Sequence, residues 1–374
     1  MRQRRDRPAL ARPRVRHVHR RFRRGADAAG GHDRGRAGVR GQPRRRAALD
    51  GAVRVTAPAD RVELAVIGGA RPAVLEALGA EFTLHHVGAG DDLAAALGPA
   101  AERIRGALSS PMVGLSAATM EALPKLEIVA LFGVGLERTD LTTAGERGVV
   151  VTTTPVLYED VADTAVVLAM DVSRRVTAGD RWVRAGRWGT GGPPASGRRF
   201  SGKKAGILGM GRIGRMLAKR LAAFDMEIGY YDPRPAPDVE YRLHRTGVEL
   251  AEASDFLFLC AAGGPGQRDL VGAEMLAALG PEGVFVNISR GWLVDEQALV
   301  DAVVSGTIGG AGLDVFAEEP HVPAALREAD NVVVLPHIAS NTEETRQDMD
   351  QCMIDNIRSW FATGQAVTPV PPPG

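Results

Sequence analysis

Gly209-Met-Gly211-Arg212-Ile213-Gly214 is a G-x-G-x-x-G fingerprint, and its surroundings decide what chemistry it can serve. It follows the apolar run Ala205-Gly-Ile-Leu208 and opens an amphipathic stretch from Arg215 to Phe224. In such a strand–turn–helix the first glycine permits the tight turn and the second lets the backbone approach a pyrophosphate. The third lets helix pack on strand. The helix N-terminus then presents free N–H groups and the positive end of its dipole to phosphates. The next apolar run ends at Tyr231-Asp232, eighteen residues beyond Gly214. An acid there accepts ribose hydroxyls and repels a 2′-phosphate, so Asp232 favours NAD(H). Arg234 is the residue type that accommodates the extra phosphate, and it leaves NADP(H) open. A glycine turn with a structural aspartate is the plain alternative, but it does not explain strand, glycines, helix and acid together.

Three polar residues stand just past other apolar runs. Arg290 follows Val286-Asn-Ile-Ser289, Glu319 lies beyond Gly312-Leu-Asp314-Val-Phe316, and His337 follows Val332-Val-Val-Leu-Pro336. In an open parallel sheet the carboxyl ends of the strands line the ligand crevice, so all three can converge beside a nicotinamide. Hydride transfer to a ketone needs an acid for the developing alkoxide, which histidine supplies at neutral pH. A neighbouring carboxylate orients the imidazole and raises its pKa, and an arginine fork holds a carboxylate and polarises the adjacent carbonyl. Taken singly, these are a structural histidine, a turn glutamate and a rim charge. Their joint placement after a nucleotide fingerprint is what favours reading them as a site.

The elements that must position these residues read as alternating strands and helices. Strand candidates are 62–67, 126–132, 149–154, 205–208, 226–231, 255–261, 283–288, 309–315 and 331–335. Helical spacing runs from Leu93 to Leu108 and, with two arginines near its end, from Thr164 to Val176. Alternation of this kind implies parallel, doubly wound α/β sheets. A length of 374 residues suits two domains, and 45% hydrophobic with 24% charged residues is ordinary for a globular chain. No apolar run is long enough for a membrane span. Two cysteines, Cys260 and Cys352, support neither a disulfide framework nor a cysteine-rich metal site, and a cytoplasmic setting is expected.

The formal net charge of +1 hides a split. The first fifty residues hold 17 arginines against four acids, leaving 29 basic and 41 acidic residues in the rest. An acidic body repels a phosphate backbone, so nucleic-acid binding is not expected of it. Residues 1–55 lack periodicity and read as a disordered arginine-rich leader. A transit peptide and a nucleic-acid arm are functional readings of it, and an over-extended start upstream of the true protein is the preferred one. Residues 367–374 read as a disordered, proline-rich tail.

From about residue 60 to 365 the sequence resembles the D-isomer-specific 2-hydroxyacid dehydrogenases. Ser289-Arg290-Gly291, Leu313-Asp314-Val315-Phe316 with Glu319-Pro320, and Pro336-His337-Ile338 carry the likeness, in order and spacing. The resemblance implies two Rossmann-like domains with an active-site cleft between them. The substrate domain is 60–157 plus 341–366, and the NAD(P)-binding domain is 158–340. It implies His337 as acid–base, Glu319 rather than Glu318 as its partner, and Arg290 on the substrate carboxylate and carbonyl. Asp314 would sit near the nicotinamide carboxamide, and Gly133-Val134-Gly135 would be the substrate loop. The segment Arg184 to Trp188 is similar to one that helps form the family's homodimer. Two departures stand out: Ala261-Ala-Gly-Gly-Pro-Gly-Gln267 where a proline and threonine are usual, and Glu137 where an aspartate or asparagine is common. The stretches 263–268 and 319–326 most resemble glyoxylate/hydroxypyruvate reductases. With only 37 residues after His337, the C-terminal regulatory domain of some phosphoglycerate dehydrogenases is not expected. The expected function is therefore reduction of a small 2-oxo acid to the D-2-hydroxy acid by NAD(P)H. A dehydrogenase of another D-2-hydroxy acid, such as lactate or glycerate, and a non-catalytic dinucleotide sensor are the alternatives.

Overall fold

Short apolar runs, each closed by a polar or glycine-bearing turn, pair in parallel to make two sheets. The computed structural model describes residues 61–192, 195–264 and 266–371. The first sheet holds β1 (Glu63–Ile67), β2 (Thr83–Val87), β3 (Ile104–Ser109), β4 (Ile128–Leu131) and β5 (Val150–Thr152), in the order β2-β1-β3-β4-β5. The second holds β6 (Lys204–Leu208), β7 (Glu227–Tyr231), β8 (Arg242–Leu243), β9 (Phe256–Leu259), β10 (Val284–Asn287), β11 (Gly310–Leu313) and β12 (Val332–Val334), in the order β12-β11-β10-β9-β6-β7-β8. Both are doubly wound, Rossmann-like α/β lobes. Their central strands are buried on both faces, as parallel strands covered by helices must be.

Two helices tie the lobes together. Tyr158–Arg174 leaves the first sheet and packs its apolar stripe, including Val161, Ala165, Leu168 and Val172, into the core of the second. It ends at Arg175, whose left-handed backbone (φ 56°) turns the chain into a second helix, Val176–Arg184. Asp171 accepts from Thr177 N–H at 2.7 Å and secures that turn. At the far side, Glu343–Thr363 returns to the first sheet, where Met353, Ile354 and Ile357 are buried with Leu64, Val66, Leu108 and Ile128. Each such side chain removed from water contributes about 1.5–3 kcal/mol, so this return is a substantial part of the first lobe's stability.

The structure differs from the sequence expectation in several places. Leu93 to Leu108 is not one helix. Leu93–Leu97 is helical, Gly98–Ala100 is a single tight turn, and Ile104–Ser109 is the central strand β3. Gly98-Pro99 stops the helix, and the apolar residues beyond it bury both faces of a strand. The helix expected from Thr164 begins six residues earlier, and Arg184, the first residue of the segment likened to the family's dimer-forming one, ends a second helix. Residues 367–371 are not a disordered tail: Pro369 bridges Thr152 in antiparallel fashion, and Val370 N–H donates to Val151 O at 2.8 Å. Asn356 is fully buried and accepts from Val367 and Thr368 N–H at 3.0 and 2.9 Å, pinning this segment to the last helix. The leader, residues 1–55, lies outside the described residues.

Candidate active site

The glycine loop after β6 stands at the point where the second sheet reverses its strand order, between β6 and β9. The three glycines are needed for three different reasons. Gly209 has φ +97°, and a Cβ there would lie 2.7 Å from Ala261 N. A Cβ on Gly214 would overlap Gly209 O, so only glycine lets the helix Arg212–Ala222 approach the strand. Gly211 has nothing within 4 Å of where its Cβ would be, and it caps that helix without a side-chain bond. This open face beside the N–H groups of Arg212 and Ile213 is where a pyrophosphate fits. The residues present thus suit a dinucleotide.

Asp232 follows β7 and touches the loop directly. Its Oδ2 accepts from Met210 N–H at 3.0 Å and its Oδ1 from Arg234 N–H at 2.9 Å. Arg234 meets Asp232 through its backbone, while its side chain is exposed. Arg212 reaches across to Tyr158, donating to its hydroxyl at 2.5 Å.

His337, Glu319 and Arg290 come from the loops after β12, β11 and β10, adjacent strands of one sheet. His337 Nδ1 and Glu319 Oε2 are 2.7 Å apart. Phe316 N–H donates to the other oxygen, Oε1, at 3.1 Å and fixes the carboxylate. The hydrogen bond that His337 donates to Glu319 holds the His337 pKa above the ordinary histidine value, against burial and the positive charge of Arg290. Burial alone would raise Glu319, but His337, the Phe316 N–H and Arg290 bring it below the usual carboxylate value.

Asp314 shapes the turn that presents the histidine. Its carboxylate, 1% exposed, accepts from Ile338 and Ala339 N–H at 2.7 and 2.9 Å, while its carbonyl accepts from His337 N–H at 2.9 Å. His337 itself takes a left-handed backbone, φ 54°, rare for a residue with a bulky side chain, and these three bonds hold it there. Burial raises the Asp314 pKa, the two N–H groups and His337 opposing it. Both oxygens already serve the turn, so its direct structural role is to hold His337.

Arg290 faces the first lobe. Its Nε donates to Glu137 Oε1 at 2.6 Å and its Nη1 to Ser289 O at 2.8 Å. Its Nη2 lies against the Gly133–Gly135 loop: a Cβ on Gly135 would stand 2.6 Å away. That loop follows β4, and Gly133 (φ +146°) accepts from Thr154 N–H at 2.9 Å. The N–H groups of Val134 and Gly135 donate to nothing among the described residues. The structure therefore brings Arg290 to Gly135, and Glu319 to His337, at one cleft. The glycine fingerprint and Asp232 lie further along the same carboxyl edge.

Two supporting residues escaped the sequence reading. Asn287, 1% exposed, accepts from Ser289 N–H at 2.9 Å and donates to Arg290 O at 3.0 Å, folding the turn that aims the arginine. Its signal was an amide at the end of the apolar run Val284-Phe-Val. Glu137 was noted only as a departure, and it proves to be the ion-pair partner of Arg290. Among the described residues, no group of three or more His, Cys, Asp or Glu is gathered to hold a metal ion, and no helix is long and apolar enough to cross a membrane.

Comparison with known proteins agrees with this architecture. Residues 166–339 match the model of the D-isomer specific 2-hydroxyacid dehydrogenase NAD-binding domain. The chain is 45% identical over 271 residues to a hydroxyphenylpyruvate reductase of Plectranthus scutellarioides, covering 72% of this chain and 86% of the relative. It is 44% identical over 268 residues to a glyoxylate/hydroxypyruvate reductase of Arabidopsis thaliana, covering 71% and 85%. An NADPH-dependent glyoxylate/hydroxypyruvate reductase from Sinorhizobium meliloti, solved with NADP and malonate, superposes with a TM-score of 0.78 at 42% identity, over 83% of this chain and 97% of that one. A fingerprint, an acid-paired histidine and an arginine on one sheet edge, together with these relatives, place the chain in the D-isomer-specific 2-hydroxyacid dehydrogenase family, the hydride-transferring NAD(P)-dependent oxidoreductases.

Proposed function

We propose that the enzyme reduces a small 2-oxo acid of the glyoxylate or hydroxypyruvate kind to the D-2-hydroxy acid, with NADH as the preferred reductant. The observation that carries this is the 2.7 Å pairing of His337 with Glu319 in the cleft where Arg290 meets Gly135. Arg290 Nη2 and the unused N–H groups of Val134 and Gly135 converge as donors for one carboxylate. With Nδ1 engaged by Glu319, Nε2 is the nitrogen that carries the proton to the substrate oxygen. Arg290, fixed by Glu137, polarises the carbonyl and stabilises negative charge as it develops there. Bound NADH supplies the hydride. In the reverse direction neutral His337 takes the hydroxyl proton, and Glu319 stabilises the resulting imidazolium.

Asp232 supports NADH. Two N–H bonds hold its carboxylate at the glycine loop, where it repels a 2′-phosphate, and the exposed Arg234 does not neutralise it through its side chain. A homodimer is supported by apolar residues left uncovered on the helices Tyr158–Arg174 and Val176–Arg184 and just beyond them: Val167, Val176 and Val183 are more than half exposed and Trp188 is 79% exposed. The two unpaired cysteines suit a reducing cytoplasm. The test is the initial rate with glyoxylate, hydroxypyruvate and pyruvate, each with NADH and with NADPH. Turnover of glyoxylate or hydroxypyruvate, faster with NADH, is the expected result. Tight dinucleotide binding without turnover of any substrate would instead make the protein a sensor.

A further inference from the structure

Two arginines of the first lobe stand outside the chemistry just described. Arg346, in the first turn of the last helix, lays its guanidinium over the Phe132 ring, 5.5 Å from its centroid, and donates from Nε to Asn341 Oδ1 at 2.9 Å. Arg71, on the loop after β1, donates from Nε to Asp350 Oδ2 at 2.9 Å. Asp350 is 5% exposed, and its other oxygen has no partner. Among the described residues, the Nη groups of both arginines donate to nothing. One carboxylate thus answers two guanidinium groups. Burial and the charge of Arg71 hold Arg346 below the ordinary arginine range, and Asp350 offsets this only in part.

Their surroundings give the surplus charge a use. Phe132 is the residue before Gly133, and Asn341 lies four residues past His337, with its N–H returned to Ile338 O at 2.8 Å. Arg346 is therefore fastened on one side to the segment that carries the substrate loop and on the other to the segment that carries the histidine. Arg71 follows the end of β1, on the carboxyl edge of the same sheet as that loop. A guanidinium stacked on a ring is held in one plane and keeps its outer edge for hydrogen bonds.

We propose that Arg346, backed by Arg71, determines substrate specificity: the free Nη groups bind an oxygen-bearing group, a hydroxyl or a carboxylate, carried beyond C2 of the 2-oxo acid. This rests on the reading of the cleft as a 2-oxo acid reductase site. An aliphatic tail in the same place strips water from donors that it cannot pair, and a site built for a polar group discriminates strongly against such a tail.

The experiment compares kcat/KM on glyoxylate, 2-oxobutyrate, hydroxypyruvate and 2-oxoglutarate for the wild-type enzyme, Arg346→Met and Arg346→Lys. Glyoxylate has no atoms beyond C2, so its turnover tests the reductase reading alone. The expected result is a preference for hydroxypyruvate or 2-oxoglutarate over 2-oxobutyrate that falls about tenfold in Arg346→Met, the worth of one charge-assisted hydrogen bond. The fall appears in KM rather than kcat, with partial recovery in Arg346→Lys. Whichever oxygen-bearing substrate loses more distinguishes hydroxyl from carboxylate. An unchanged preference in Arg346→Met, with glyoxylate still reduced, overturns the proposal and leaves the reductase reading standing. No turnover of any of the four by the wild-type enzyme overturns both.

Discussion

Replacing Glu319 with glutamine keeps the side chain's shape and a hydrogen-bonding oxygen while removing its charge. The His337 Nδ1 to Glu319 Oε2 separation is 2.7 Å, and at that distance two unit charges attract by about 1.5 kcal/mol even in bulk water. Charge-assisted hydrogen bonds contribute about 1.5–3 kcal/mol, and because 43% of the His337 side chain is exposed the lower part of that range applies. At about 1.4 kcal/mol per decade, the imidazolium becomes roughly ten- to thirtyfold harder to maintain. The sign follows from the pKa directions. Glu319 is the largest influence raising His337, and the opposing effects of burial and Arg290 remain in the variant, so its histidine titrates lower. In the proposed mechanism reduction needs the protonated ring. Its rate in Glu319→Gln therefore falls off at a lower pH than in the wild type, and the loss is greatest on the alkaline side. Oxidation needs the neutral ring, so its acid limb also moves to lower pH. The assay is kcat/KM against pH in both directions, at saturating dinucleotide. A uniform loss with neither limb displaced, or a displacement to higher pH, would refute the reasoning.

Asp232→Asn removes the charge while leaving an oxygen for Met210 N–H, so the glycine loop keeps its shape. The ratio of kcat/KM with NADH to that with NADPH should drop about tenfold or more, and an unchanged ratio would remove Asp232 as the selector. Gly211→Ala and Gly214→Ala should part company. The first places its methyl in open space, so it folds with a near wild-type thermal midpoint but binds NADH at least about tenfold more weakly, read by titration of protein fluorescence. The second drives a methyl into Gly209 O and should lower the midpoint by several degrees, at about 1–3 kcal/mol for overpacking. Equal behaviour of the two would contradict the separate roles assigned to these glycines.

The site-bearing strands were legible because each is a short apolar run followed closely by a polar residue, with β10 and β11 buried on both faces and β12 partly buried. β10 ends at Asn287 before Arg290, β11 at Leu313 before Asp314, and β12 two residues before Pro336-His337. β3 was not legible as a strand, because Ile104, Ala107 and Leu108 also fit helical spacing, and only their burial in the sheet separates the two. β2, with Thr83 and two histidines among five residues, lies at the sheet edge and shows little of the apolar pattern used for the others. The ordering of 367–371 was invisible because it depends on Asn356 and Thr153, contacts that no local composition encodes. For the same reason Arg71 and Arg346, 275 residues apart, gave no sequence signal of their meeting.

The return of the last helix to the first sheet also orders events at the ribosome. Strands β1–β5 are complete by Thr152, yet the helix whose Met353, Ile354 and Ile357 cover Leu64, Val66 and Ile128 begins at Glu343. At about 5–20 residues per second, roughly 10–40 s of synthesis separates the two. During that interval the nascent chain makes every strand of the second sheet, β6 to β12. The older sheet waits with that apolar face covered only in part, by Val74 and Leu78 of the helix Pro72–Gly79. The lobe made first is thus the one finished last, and its exposed face is the natural point for chaperone capture or for aggregation during translation.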